Sequence, residues 1–159
     1  MTTQSNRPSG SDQIRFDDKL HPLSQELIIK HFTNKGIHYF TTDRGLLGAT
    51  FRDVQFLFAI TGNRQELLCI SGQWHRIISA NALELVRAFI SDWHRDKLFP
   101  KAYIRIDDDG TLQTITEVTV DYEYGLTFDQ LQTHIDRAVI NTLDFVTELE
   151  DLMFKEGVR

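Results

Sequence analysis

The stretch WHRDKLFPKAYIRIDDDGTLQTITEVTVDYEYGLT, residues 93–127, decides the fold. A helical pattern of apolar residues ends at Trp93, and Pro100 prevents that helix from continuing. Two runs of alternating apolar residues follow, at 102–106 and 118–122, on either side of an acidic Asp-Gly turn. The stretch therefore predicts the end of one helix, a two-stranded hairpin and the start of another helix.

The helices on both sides of this hairpin carry their own start signals. Upstream, Asn81 and Glu84 have the spacing of a capping box, which predicts a second helix from that point to near residue 97. Downstream, Thr127 and Gln130 have the same spacing before an apolar stripe that continues to residue 153. A helix of that length measures roughly 40 Å, more than one sheet requires. Its last turns are therefore expected either to overhang toward another chain or to fray.

The first half of the chain predicts one helix and then a β block. The first helix is predicted to begin near Pro22 and Ser24 and to end at Gly36. Residues 37–75 form three or four predicted strands joined by short turns, which favours antiparallel neighbours. The third of these strands, at 54–61, is apolar on both faces and predicts a central strand that is covered on two sides.

Together these elements predict an α+β fold in the order α-β-β-β-α-β-β-α, with a possible fourth strand in the first β block. A helix separates two groups of strands instead of alternating with single strands, so a mostly antiparallel sheet is favoured over a parallel one. The 159 residues fit one domain. We expect a disordered leader at 1–18, a single domain at 19–154 and a flexible tail at 155–159.

Charge and cysteine content narrow the class of protein. The net charge of −6 is uneven, because residues 1–80 carry 9 Lys and Arg against 7 Asp and Glu, whereas 81–159 carry 8 against 16. Nucleic acid is therefore an unfavourable partner. No apolar run is long enough to cross a bilayer, and no secretion signal is recognisable, so no membrane partner is expected. The single Cys69 forms no disulfide within the chain, which favours a cytoplasmic protein.

The acidic run at 107–110 has two interpretations, a calcium loop and a hairpin turn. A calcium loop of the EF-hand type starting at Asp107 needs a bidentate Glu at its twelfth position, where this chain has Val118. A hairpin turn needs only the positive φ that Gly110 supplies, so the turn is favoured. No histidine pair has zinc-binding spacing. No metal or cofactor site is predicted.

The remaining patterns indicate packing more than catalysis. The dipeptide Trp-His occurs at 74–75 and at 93–94, and we predict that each Trp is buried while each His lies at the rim. Neither a GxSxG motif nor a glycine-rich phosphate loop is present. The acidic side chains between 107 and 123 are expected to form a solvated face. We therefore expect a protein that is not an enzyme.

Several of these residues resemble the YbjN family, whose members are described as bacterial sensory transduction regulators. The resemblance covers about residues 22–150. It implies the fold of type III secretion chaperones, with three helices around a curved antiparallel sheet, commonly as a homodimer, and it implies no catalytic residue. The motifs that carry it are Trp74-His75, Trp93, Pro100-Lys101-Ala102-Tyr103, Asp108-Asp109-Gly110, Gly125-Leu126-Thr127 and Gln130-Leu131.

Two functions remain open at this stage. The first is a non-catalytic dimeric module that binds a protein or peptide, with Leu85, Phe89 and Trp93 on the second helix as the dimer or partner interface and an exposed strand edge as a second place for a peptide. The alternative is a regulatory domain that senses a small molecule in an aromatic pocket. The aromatic residues considered for that pocket are Tyr39, Phe40, Phe51, Phe56, Phe58, Trp74 and Tyr103.

Overall fold

A computed structural model describes residues 19–158 of the chain. The predicted leader at 1–18 lies outside the described residues. The α+β fold class is confirmed, with four strands in the first β block. The elements are α1 (Gln25–Lys35), β1 (Tyr39–Thr41), β2 (Leu47–Phe51), β3 (Val54–Thr61), β4 (Leu67–Trp74), α2 (Leu83–Asp96), β5 (Lys101–Ile106), β6 (Leu112–Asp121) and α3 (Phe128–Lys155).

The six strands form one antiparallel sheet in the order β1-β2-β3-β4-β6-β5. The chain leaves β4, passes through α2, and returns as the outermost strand β5, after which β6 fills the position between β4 and β5. The predicted turn between these last two strands is confirmed. Gly110 has a φ of 80°, and its N–H donates to the Asp107 carbonyl at 2.8 Å. In the strand order given above, β1 and β5 are the two outermost strands.

The helices cover one face of the sheet, which we call the covered face. On β3, Val54, Phe56 and Phe58 are fully buried there, and the Phe58 ring lies 5.1 Å from that of Phe32 on α1. Leu57, which points to the other side, is only partly buried. We call that side the open face. The prediction of a central strand is confirmed, but the prediction that it is covered on two sides is wrong.

Local signals place the helix ends well, with one exception. Ser24 caps α1, Gly36 ends it with a φ of 66°, and Thr127 and Gln130 form the predicted capping box of α3. The capping box predicted at Asn81 is wrong. A short 3₁₀ turn at Ala80–Ala82 precedes α2, and the side chain that accepts a backbone hydrogen bond at its start is that of Ser79.

The long helix α3 neither overhangs nor frays, so that prediction is wrong. Its buried positions continue through Phe145 and Leu149 to Met153, since the core extends beneath the whole helix. The chain then turns back, and the Val158 N–H donates to the Met153 carbonyl at 2.9 Å. Arg76 holds this end, because its guanidinium contacts both Glu150 and the Val158 carbonyl at 3.4 Å.

Close approach of α3 to the sheet depends on a glycine. A Cβ atom at Gly72 on β4 would lie 2.7 Å from Thr116 Oγ1 and 3.0 Å from Thr142 Cγ2. Both threonines are buried, and their hydroxyl oxygens lie 3.1 Å apart, so they satisfy each other beneath the helix. Any larger residue at position 72 would separate α3 from the centre of the sheet.

Candidate functional site

The three predicted interface residues on α2 occupy two different environments. Leu85 and Phe89 are partly exposed, whereas Trp93 is only 5% exposed. The Trp93 ring packs edge-on against Phe145 of α3 at 5.2 Å, and its Nε1–H donates to the Pro100 carbonyl at 3.2 Å. Trp93 therefore belongs to the interior of the protomer. It supports Phe89, whose ring lies 6.1 Å away, instead of presenting a contact surface.

Leu85 and Phe89 line a groove of about 510 Å³ between α2 and α3, which we call the α2–α3 groove. Ala88 and the partly buried Leu152 complete its apolar lining. The charged residues around it are Asp92, Glu148, Asp151 and Lys155, which gives three acidic side chains and one basic one. Apolar residues surrounded by carboxylates match a segment that carries both apolar and basic side chains.

The other flank of α2 faces β5 and forms a second groove of about 460 Å³, the α2–β5 groove. Leu83 and Ile90 on the helix and Ile104 and Ile106 on the strand contribute its apolar surface. No acidic side chain lines it, and its ionisable lining residues include Arg87 and His94. The two flanks of α2 therefore differ in charge.

Both Trp-His dipeptides have the predicted arrangement, because each Trp is buried and each His is exposed. Trp74 Nε1–H donates to the Asp53 carboxylate at 2.6 Å. His94 has a further role, since its Nε2 accepts a hydrogen bond of 2.9 Å from the Ala102 N–H on β5. This contact satisfies one main-chain donor of the outermost strand.

A third cavity, of about 400 Å³, lies between β6 and α3. His134 on α3 lines it, and its Nδ1 is hydrogen-bonded to the hydroxyl of Tyr122. Burial, and secondarily the positive charge of Arg137, lowers the pKa of His134, whereas burial raises the pKa of Tyr122. The imidazole therefore remains neutral over a wider pH range than a free histidine. The other lining residues are Phe99, Val118, Thr119, Val120, Asp121, Ala138 and Asn141.

The aromatic residues considered for a ligand pocket do not line one common cavity. Phe56, Phe58 and Trp74 are buried in the core of the covered face. Phe40 lies on the open face, where its ring covers the Cα of Gly48 on β2. Tyr39 and Tyr103 are exposed, and Phe51 packs edge-on against Phe56 at 5.6 Å.

The histidine and cysteine side chains of residues 19–158 show no metal-binding arrangement, since no group of three or more His, Cys, Asp or Glu in that range could hold an ion. The buried His31 on α1 instead approaches Asp136 on α3, with 3.2 Å between Nε2 and Oδ1. Burial raises the pKa of the Cys69 thiol. None of the helices in the described part of the chain is long and apolar enough to span a membrane.

Sequence reasoning missed both the β5 side of α2 and the cavity beside β6. Residues such as Arg87 and His94 fall outside the apolar stripe from which α2 is recognised. The helical spacing of Leu83 and Ile90 was a usable signal, but which strand lies beside them depends on sheet order. Non-local pairing of this kind leaves no local pattern.

The fold and the sequence were compared with known proteins. One similar solved structure is the crystal structure of YbjN from E. coli, described as "a putative transcription regulator", with a TM-score of 0.68 and 14% identity over 88% of this chain and 97% of that one. Another is an uncharacterized protein from Methanothermobacter thermautotrophicus, with a TM-score of 0.52 and 14% identity over 81% and 98% of the two chains. At these identities the likeness concerns the fold alone.

The sequence itself gives the family. The comparison with curated proteins gives no match. The model of the YbjN family, described as "Putative bacterial sensory transduction regulator", matches residues 24–151. That match spans most of the chain and all of the elements except the last turn of α3. The chain therefore belongs to the YbjN family.

Proposed function

We propose that this protein is a non-catalytic, dimeric binding module of the cytoplasm that acts in regulation by holding a segment of another protein in the α2–α3 groove. The observation that carries the proposal is the chemistry of that groove. Leu85, Phe89 and Leu152 present apolar surface between two helices, and three carboxylates surround it. Burying that surface under a partner would supply the free energy of binding, while the carboxylates would select basic partners.

Phe89 is supported as a contact residue by the packing that fixes its ring. Phe89 packs against Trp93 and against Phe145, whose rings lie 6.1 Å and 5.3 Å away. Its orientation is therefore fixed before a partner arrives, which lowers the entropic cost of binding.

Cys69, the most nucleophilic side-chain type in the chain, has a raised pKa that keeps it as the unreactive thiol. A binding role requires no catalytic group.

The test uses two labelled peptides of equal length, amphipathic helices of Leu and Lys or of Leu and Glu. Fluorescence anisotropy with the full chain is expected to show binding of the Lys peptide, with an affinity that falls as salt screens the carboxylates. The Glu peptide is expected to bind at least about tenfold more weakly, a difference of roughly 1.4 kcal/mol. Equal binding of both peptides would contradict the proposed chemistry.

Two variants and one matched control locate the binding surface. Leu85→Lys is expected to weaken binding of the Lys peptide by roughly tenfold or more, because it removes apolar surface and adds a repelling charge. Leu57→Lys is the matched control, since it makes the same change on the open face and is expected to leave binding unchanged. Asp151→Lys is expected to favour the Glu peptide over the Lys peptide. Binding that Leu85→Lys leaves intact would rule out this groove.

A second candidate function, small-molecule sensing, is favoured by the cavity between β6 and α3. Its lining combines apolar side chains with Arg137, Asn141, a neutral His134 and one carboxylate, that of Asp121, so Arg137 is the group that would bind a small organic carboxylate. Thermal unfolding of the full chain with a set of aliphatic and aromatic carboxylates tests this function. A rise in Tm that Arg137→Gln abolishes is expected if the cavity is a ligand site. No rise with any carboxylate at millimolar concentration would remove this candidate.

A further inference from the structure

We propose that two copies of this protein pair antiparallel along the outer edge of β5, about a two-fold axis at Ile104, so that their sheets become continuous. This inference rests on the proposed function for the dimer itself and assigns the surface that forms it. It leaves the α2–α3 groove of each copy free for a partner. The evidence is the direction of the main-chain groups of β5, the apolar side chains along it and its charge pattern.

The main-chain groups of alternate β5 residues point away from the sheet. Asp107 N–H donates to the Thr111 carbonyl at 2.9 Å, and the same register pairs Lys101 with Glu117. Odd-numbered residues of β5 therefore bond to β6, and the N–H and C=O groups of Ala102, Ile104 and Ile106 face outward. Among the described residues no strand pairs with this edge. The Ala102 N–H is already used by His94, so the remaining outward groups are those of Ile104 and Ile106 and the Ala102 carbonyl.

Apolar side chains are concentrated at this edge. Ile106 is 56% exposed and Tyr103 is 40% exposed, and Leu98, just before the strand, is 90% exposed. An exposed, unpaired apolar strand pairs readily with another strand unless it is covered. Here the α2–β5 groove continues the apolar surface onto Leu83 and Ile90. A second copy at the edge would cover both the strand and this flank of α2.

Charge favours an axis at Ile104 over the two neighbouring axes and favours the second copy as the occupant. Pairing about Ile104 places Ala102 opposite Ile106, Tyr103 opposite Arg105 and Lys101 opposite Asp107, with each contact repeated by symmetry. Two cation–π contacts and two ion pairs between the copies would then replace the contacts of Lys101 with Tyr103 and of Arg105 with Asp107 within each protomer. If the axis lay at Tyr103, Lys101 would lie opposite Arg105 of the other copy. If it lay at Arg105, the two Arg105 side chains would lie opposite each other. Like charges directly opposite are destabilising, so the axis at Ile104 is favoured.

Disulfide trapping tests the register directly. In a full-length Cys69→Ser background, Ile104→Cys places two thiols on the axis, with Cα atoms roughly 5.5 Å apart, within the range of a disulfide. Ile106→Cys is the matched control. It is more exposed, but the two copies of position 106 lie about 13 Å apart along the strands. Mild oxidation is expected to link Ile104→Cys into dimers at least roughly tenfold faster than Ile106→Cys.

Charge exchange tests the same pairing without cysteine. Lys101→Glu and Asp107→Lys each replace both ion pairs by like charges and are expected to raise the dimer dissociation constant by roughly tenfold, as measured by sedimentation. The double variant restores opposite charges and is expected to recover most of the wild-type affinity. Circular dichroism of each variant checks folding, because Lys101 also lies opposite Glu117 and Arg105 Nε contacts Asp107 at 3.1 Å within the protomer.

The possible outcomes separate this inference from the proposed function. A dimer in which Ile104→Cys links no faster than Ile106→Cys would overturn the β5 interface and leave a dimeric binding module intact. A chain that remains monomeric at about 100 μM would overturn the interface and the dimer together. Binding of the Lys peptide by such a monomer would still support the α2–α3 groove. A foreign peptide at this edge in place of a second copy would also overturn the inference.

Discussion

The two faces of the sheet are made by the same strands and differ in what they contribute. Phe58 and Leu57 are neighbours on β3, yet Phe58 is fully buried against α1 while Leu57 is partly exposed on the open face. Burial of apolar area is the main source of stability, so the covered face supplies most of the free energy of folding. The open face and the β5 edge beside it can therefore vary at little cost to the fold. The β5 edge, which we propose as the dimer interface, thus lies outside the surface that stabilises the fold.

The largest expected effect separates these two neighbours. Phe58→Ala is expected to lower the free energy of unfolding by about 3–5 kcal/mol, because it leaves a cavity among packed aromatic rings. Leu57→Ala is expected to cost about 1 kcal/mol or less, since its side chain already contacts water. Urea unfolding followed by circular dichroism measures both. Equal losses would mean that the open face is covered in solution.

Two glycines sharpen the comparison further. Gly72→Ala on the covered face is expected to cost about 1–3 kcal/mol, because the new Cβ meets Thr116 and Thr142 beneath α3. Gly48→Ala on the open face is expected to cost less, although its Cβ would overlap the Phe40 ring. That ring belongs to the outermost strand β1 and can turn toward solvent. The same urea experiment measures both changes, and a larger loss at Gly48 would contradict the assignment.

Acid is expected to lower the free energy of unfolding through His134, which lies between α3 and β6. The pKa of His134 is lower in the folded protein than in the unfolded chain, whose histidine pKa is about 6.5. The native state therefore binds this proton more weakly, and stability is lost as pH falls from that value through the folded pKa. His134→Gln is expected to remove part of the loss, and Arg137→Gln a smaller part. The loss is measured as the difference between the free energies of unfolding at pH 7.5 and at pH 5.0. If His134→Gln shows the same difference as the wild type, His134 is not the group responsible.

The smallest effect is expected at Cys69 on the open face. Cys69→Ser replaces a partly buried thiol beside Thr119 by a hydroxyl and is expected to change the free energy of unfolding by no more than about 0.5 kcal/mol. Thermal and urea unfolding measure this change. A loss above about 2 kcal/mol, typical of a substitution in a packed core, would show that this part of the open face is covered by another surface.

The parts of the fold that depend on local sequence could be predicted, and the parts that depend on distant contacts could not. Ser24, Gly36 and Thr127 mark helix ends through hydrogen bonds within a few residues, and all three were recognised. The prediction of a capping box at Asn81 failed because Ser79, two residues earlier, caps a 3₁₀ turn, and that turn has no apolar period of its own. The prediction for β3 failed because an apolar residue such as Leu57 is compatible with both a covered and an open face.

The candidate surfaces divide in the same way. Leu85 and Phe89 were found from helical spacing, and the structure places both in one groove. Trp93 follows the same spacing but points inward, since one helical stripe includes both core and groove positions. The β5 edge depends on β6 lying between β4 and β5, which is a property of the whole sheet.

The insertion of β6 between β4 and β5 has a consequence for synthesis on the ribosome. Chain growth delivers β4 first, then α2 and β5, and only later the strand that pairs with β4. The edge of β4 that pairs with β6 therefore stays unpaired until residue 121 has left the exit tunnel, and α3 covers the sheet only after that. Nascent chains truncated before β6 would expose an apolar strand edge to their neighbours. During that interval the edge of β4 is the surface that a holdase chaperone would protect.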